Sequence, residues 1–288
     1  MPRRLAVMRA VKLDETPERI ESRQDYVESV AESIQNFYQF YLGGGFEARG
    51  FAVPYEGSFR VKSALPRRFY WKDSVDEFME GQDFDPNMWH MIGNGRCCGE
   101  GILGKMQSAR CSNMRCDVAT DVHEIGHSGW NLMHSGKVYL ATGAEFEYGD
   151  NAGAMMSGAS GNKMVGINAP HLIQMGLCVP HLVTGSETFN LAPVEVDAPA
   201  LRDNEHRCAI IHRDNHPDLC LSTRMTSVHR FALPERYEGM LFVHRMDDKN
   251  ACMRYYPDTR PGQDVDIHGV TIRHLGYENE SLTVEAIL

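Results

Sequence analysis

Ile20, Val27, Val30, Ile34, Phe37 and Tyr41 recur three, four or seven residues apart, with Glu, Arg, Gln and Asp between them. That spacing predicts one long amphipathic helix with an apolar stripe facing a core. Thr16-Pro17 supplies a capping residue and a proline at the first helical position, and Gly43-Gly44-Gly45 ends the pattern. Before it, the apolar run Leu5 to Val11 reads as a first strand, because Arg9 and Lys12 interrupt it before it reaches the length of a signal peptide. Residues 46–116 carry weaker signals: strand-like pieces at Phe59 to Val61 and Arg68 to Trp71, then the glycine-rich stretch Gly93 to Gly104, which suits a loop or an edge strand lining a cleft. A helix is predicted over 117–128 and a shorter one over Pro170 to Leu177.

From about residue 186 the texture changes. Alternating apolar and polar runs (Thr188 to Leu191, Ala209 to His212, Met240 to His244, Val270 to His274, Leu282 to Ile287) are separated by Pro, Asp, Asn and Gly. This pattern predicts a small antiparallel β domain. The expected division is therefore a first domain over 1–185 and a β domain over 186–288, in an α+β fold.

Composition narrows the function classes. A formal net charge of −10 argues against nucleic acid as a partner, which needs a basic surface. No apolar run approaches the roughly 20 residues of a membrane span. The glycine-rich stretch is no phosphate loop, since neither GK[ST] nor GxGxxG fits it. Eight cysteines are present, and Cys97, Cys98, Cys111 and Cys116 crowd shortly before the second helix, which suggests one or two bridges there or free buried thiols. The redox compartment is left open.

The chemistry is concentrated in Asp121-Val122-His123-Glu124-Ile125-Gly126-His127, which contains the HExxH pattern. Residues four apart on a helix share a face, so two imidazoles converge on one metal at about 2.0–2.1 Å. Glu124 then stands beside the metal as general base for water and as proton donor to a leaving amine. A bland surface helix would not need Val118, Val122 and Ile125 on one side. A catalytic zinc takes three protein ligands. His134 is the first candidate, but on a continued helix it would stand about 10.5 Å beyond His127. The chain must break and fold back, and Gly129 is placed to allow it. His90, His171, His181 and Asp121 are the rival ligands; the remaining histidines are scattered through the β region.

HEIGHSGWNLMHSG resembles the extended zinc motif HExxHxxGxxH of the metzincin peptidases, and more specifically that of the gametolysin family, the algal cell-wall metalloproteases. Tyr148-Gly149-Asp150 with Ala154-Met155-Met156 is similar to the family's YGD…VM segment, and Asn168 to Gly176 to its NAPH…QLG segment. Leu219 to Arg224 and Phe242-Val243-His244-Arg245 resemble strands of its C-terminal region. The resemblance covers roughly residues 90–285 and keeps its order.

It implies a metzincin-like catalytic domain with Zn2+ held by His123, His127 and His134, Glu124 as catalytic residue, Met155 as the methionine turn and His171 in a structural role. It also implies a protein or glycoprotein substrate, such as a cell-wall or extracellular-matrix glycoprotein, and an extracellular location. The family's third histidine stands ten residues after the first, where this chain has Met133. A one-residue insertion would leave His134 as ligand and put Asn131, which tolerates a left-handed turn, where the family has glycine. The alternative is an altered site in a catalytically silent relative that binds a protein or glycan. No tyrosine follows Met155 closely, so Tyr148 or the ion would have to stabilise the developing charge.

Overall fold

The computed structural model describes residues 2–12, 15–55, 78–95, 99–104, 106–112, 118–150, 153–155, 165–195, 200–224, 237, 239–246, 252–256 and 259–288. The strand-like pieces expected at 59–61 and 68–71 lie outside the described residues. Those described divide into two compact units, one ending at Asn131 and the other beginning at Leu132. The fold is α+β, with strands outnumbering helices. No helix among the described residues is long and apolar enough to cross a membrane.

In the first unit, β1 (Arg3–Lys12), β2 (Phe46–Tyr55), β3 (Met88–Gly95), β4 (Gly99–Ile102) and β5 (Gln107–Ser112) form one sheet in the order β2-β1-β3-β5-β4. Parallel neighbours need a crossover, and α1 (Pro17–Leu42) supplies it between β1 and β2. β1 also runs parallel to β3, and β3 to β5. Only β4 is antiparallel, at the edge, so the glycine-rich stretch contributes an edge strand. Leu5 to Met8 are fully buried, as a central strand covered on both faces requires. The predicted stripe of α1 is buried at Val27, Val30, Ile34 and Phe37, while Ile20 and Tyr41 are only partly covered. Thr16 occupies the N-cap, but its carbonyl rather than its side chain receives the first backbone bonds.

The second unit is a sandwich. A seven-stranded sheet has the order β7-β6-β14-β13-β12-β11-β8, and a five-stranded sheet the order β10-β9-β17-β16-β15. The first comprises β6 (Ser135–Tyr139), β7 (Glu145–Phe146), β8 (His181–Val183), β11 (Cys208–Ile211), β12 (Asp218–Ser222), β13 (Phe242–Met246) and β14 (Cys252–Tyr256). The second comprises β9 (Glu187–Leu191), β10 (Glu205–His206), β15 (Asp264–Ile267), β16 (Val270–Glu278) and β17 (Ser281–Ile287). Alternate residues from both sheets fill one core: Leu219 and Leu221, Val270 and Ile272, Leu282 and Val284.

All five runs expected beyond residue 186 contain strand, yet the sheets are mixed rather than purely antiparallel. β6 pairs parallel with β14, and β8 with β11. The described residues of the stretch 132–185 thus share a unit with the strands beyond 186. Periodicity reports a half-buried strand but not the direction of its neighbour, which is why β6 and β8 were not expected in this sheet.

Leu221 is fully buried between the sheets. Leu221→Ala should lower unfolding free energy by about 2–5 kcal/mol, read as a lower urea midpoint with an unchanged slope.

Candidate metal centre

α2 (Val118–Trp130) carries the HExxH motif and is buried at every position from Asp121 to Gly129. Such a helix must satisfy its polar groups inside the protein. Asp121 Oδ1 is 2.8 Å from His90 Nε2 and 2.8 Å from Arg110 Nε. His90 Nδ1 lies 2.8 Å from Ser108 Oγ, and Arg110 Nη2 donates to Tyr26 Oη at 2.9 Å. His90 belongs to β3, and Ser108 and Arg110 to β5, so this network fastens the helix to the sheet. Two of the rival ligands, His90 and Asp121, are thereby engaged with each other. Asp121 precedes His123 by two residues, about 200° around the helix, so the two side chains leave opposite sides.

The C-terminal carbonyls of α2, which have no partner within the helix, are satisfied by the first unit itself. Gly104 and Asn131 both donate their N–H groups to His127 O at 3.1 Å, Met106 N donates to Ser128 O at 3.1 Å, and the Arg3 guanidinium donates to Gly129 O. Trp130 stacks on Tyr38 at 4.5 Å and carries the Arg3 guanidinium 4.4 Å from its ring centroid. These contacts carry the helix through Trp130 to a left-handed Asn131, φ 57°. The expected break at Gly129 is therefore corrected. Gly129 is helical, and a Cβ there would stand 2.6 Å from Met88 Cε. Trp130 is part of the packing, while Asn131 takes the left-handed turn that asparagine was expected to tolerate. On the other side, β4 presses against the motif: a Cβ on Gly101 would come within 2.1 Å of Glu124 O and 2.8 Å of His127 Cβ.

His123, Glu124 and His127 are each less than one-tenth exposed. The two histidine Nε2 atoms face each other at 3.1 Å. Two ligands of one tetrahedral ion, each about 2.0–2.1 Å away, stand about 3.3 Å apart. His134, the expected third ligand, belongs to the second unit, which begins at Leu132. His134 Nδ1 is 2.7 Å from Glu147 Oε1, and Tyr148 Oη is 3.1 Å from His134 Nε2. The His123 and His127 pair therefore fits two ligands of one divalent metal. Cavities of about 470 and 550 Å3 are lined by residues such as Gln24 and Gly50, or Asp83 and Trp89, and neither contains the motif.

No protein-family model matches the sequence. No curated protein matches it either. One solved structure, "Structure of a chaperone-substrate complex", is similar over 54% of this chain, with 15% identity and a TM-score of 0.30. This chain spans 28% of that one's length.

The second unit contains a polar knot that sequence reasoning missed. Asp150, fully buried, accepts hydrogen bonds at Oδ2 from Ser135 Oγ (2.6 Å) and Asn168 Nδ2 (2.9 Å) and lies 3.0 Å from His244 Nε2. Its Oδ1 accepts from Arg254 Nη1 at 3.2 Å. Asn168 also caps α3 (Ala169–Gln174) by accepting from His171 N. His171 Nε2 lies 3.6 Å from Cys252 Sγ, itself 3.1 Å from Ser135 Oγ. The rival ligand His171 thus belongs to this knot. His181, another rival, stacks on His206 and sits 3.3 Å from Glu187. Ser135 follows His134 directly, and its N–H donates to Met155 O at 3.0 Å, so the knot holds the backbone of both; Met155 itself is buried. The visible signal was a set of polar residues within apolar runs: Asp150, His244 and Arg254. The crowded cysteines Cys97, Cys98 and Cys116 lie outside the described residues, as does the Cys111 side chain.

Burial alone would push the Asp150 carboxyl up, but His244, Arg254 and Ser135 outweigh it and hold the group far below the usual carboxylate range. A depressed folded pKa stabilises the protein above the unfolded value of about 3.9 and loses that contribution as pH falls below it. Asp150→Ala, which strands a buried Arg254, should cost ~3–5 kcal/mol at pH 7. Urea titrations at pH 7 and pH 3 should show a smaller difference between wild type and variant at the lower pH.

Proposed function

We propose that this protein is a zinc-dependent endopeptidase. The observation that carries the reading is the pair of imidazoles of His123 and His127, their Nε2 atoms 3.1 Å apart on the helix that also bears Glu124; His134 is proposed as the third ligand, as the gametolysin resemblance implies. Three histidines are a known catalytic zinc set, and zinc would polarise the scissile carbonyl and acidify the attacking water. Glu124 would take a proton from the attacking water and later deliver it to the leaving amine, so one carboxylate would serve as base and then acid. Its position next to His123 on a helix anchored by Asp121 keeps it oriented, and β4 covers that helix through Gly101. Tyr148, about half exposed with its hydroxyl 3.1 Å from His134 Nε2, or the ion itself, would stabilise a developing oxyanion. Substrates are proteins or glycoproteins, as the gametolysin resemblance implies.

One observation favours a second reading, a silent relative that binds protein or glycan. Both ring nitrogens of His134 already have partners within 3.1 Å, Glu147 and Tyr148, which a histidine without a metal would also choose.

Glu124→Gln should keep its zinc, measured by elemental analysis, while peptide-library cleavage falls ~10²–10⁴-fold. His134→Ala should weaken zinc binding at least tenfold in a chelator competition, whereas Met133→Ala should leave it near wild type. Zinc-free wild-type protein after incubation with zinc, or unimpaired cleavage by Glu124→Gln, would overturn the peptidase reading.

A further inference from the structure

Three cysteines meet on the face of the seven-stranded sheet that points away from the sandwich core. On β11 and β12 the residues Ala209, Ile211, Leu219 and Leu221 face the core, so Cys208 and Cys220, both fully buried, face the other way. The antiparallel register, with Cys208 opposite Ser222 and Ile210 opposite Cys220, makes the two cysteines diagonal neighbours. Cys178 arrives from the segment after α3, where its N–H donates to Leu172 O at 3.3 Å. Beyond it the chain enters β8 parallel to β11, His181 opposite Ala209, and this brings Cys178 over Cys208. Their sulfurs are 2.9 Å apart, and Cys178 is 3% exposed.

That separation is less than about 1 Å beyond the 2.03–2.05 Å of a disulfide, so small side-chain rotations close it. A metal does not explain the cluster: among the described residues, these cysteines belong to no group of three ligand atoms within 4.8 Å of one another. Cys252 is engaged elsewhere, with Ser135 and Asn168.

We propose that Cys178 and Cys208 are joined by a disulfide, with Cys220 remaining a thiol beside it. The oxidant is a low-molecular-weight disulfide. One protein thiolate attacks it, forming a mixed disulfide and releasing one small thiol; the second protein thiolate then displaces the other. Two protein thiols and one small disulfide become one protein disulfide and two small thiols, and the protons pass to the departing thiolates. The hydrogen bond with Cys208 and burial push the Cys178 thiol up, so exchange in the folded protein is slow and the bridge forms as the segment docks during folding. It ties the α3 segment to the sheet across a separation of 30 residues.

The test is refolding of the full chain in oxidised and reduced glutathione, then alkylation under denaturing conditions and peptide mapping by mass spectrometry. A peptide bridging Cys178 and Cys208 is expected, with Cys220 and Cys252 alkylated. The double variant Cys178→Ser/Cys208→Ser should lose about 10 °C of the melting temperature that dithiothreitol removes from wild type, whereas Cys220→Ser should retain it. Alkylation of both Cys178 and Cys208, or a bridge from Cys208 to Cys220, would overturn the proposal. Should the serine variants fail to fold, the wild-type map decides alone.

Discussion

A helix that carries two histidines, a glutamate and an aspartate, yet is buried along nine successive residues, must find every polar partner inside the protein. The ion pair between Asp121 and Arg110, with His90 on the same carboxylate oxygen, meets much of that demand at the start of α2. Breaking it would leave a buried charge, a loss of ~3–5 kcal/mol. Much of the first unit is arranged around this need. β3 and β5 supply the partners at the helix start, and Arg3, Gly104 and Met106 supply donors at its end. The side of α2 opposite Asp121 is then left for His123 and His127, whose facing nitrogens define the candidate metal centre.

The second unit solves a similar problem with a different carboxylate. Asp150 accepts bonds from Ser135, Asn168 and Arg254 and meets His244, residues spread over more than 100 positions of the chain. A group withdrawn this far from water stabilises only when every partner is in place, so it specifies one arrangement of loops and strands. The same knot determines the backbone just after His134 and the position of the Met155 carbonyl. Two residues singled out by motif thus owe their local conformation to polar residues that motif reasoning left aside.

Periodicity alone determined α1, the helix bearing the motif, and the run of strands beyond residue 186, because burial of one face imposes a repeat that any short window reveals. The HExxH spacing likewise determined that His123 and His127 share a helix face, since the helical repeat is a local property. Three matters were left to the tertiary structure. Whether the helix stops at Gly129 or runs to Trp130 depended on Tyr38 and Arg3, which are about 90 and 130 residues distant and stack on the indole. Whether His90, Asp121 and His171 were ligands depended on which polar groups the packing brought to them. Strand direction and sheet membership, as in the parallel pairing of β6 with β14, depended on chain crossings that leave no trace in residue spacing. Local rules act through neighbours in sequence, whereas buried polar groups choose their partners across the whole chain, and only the folded chain reveals that choice.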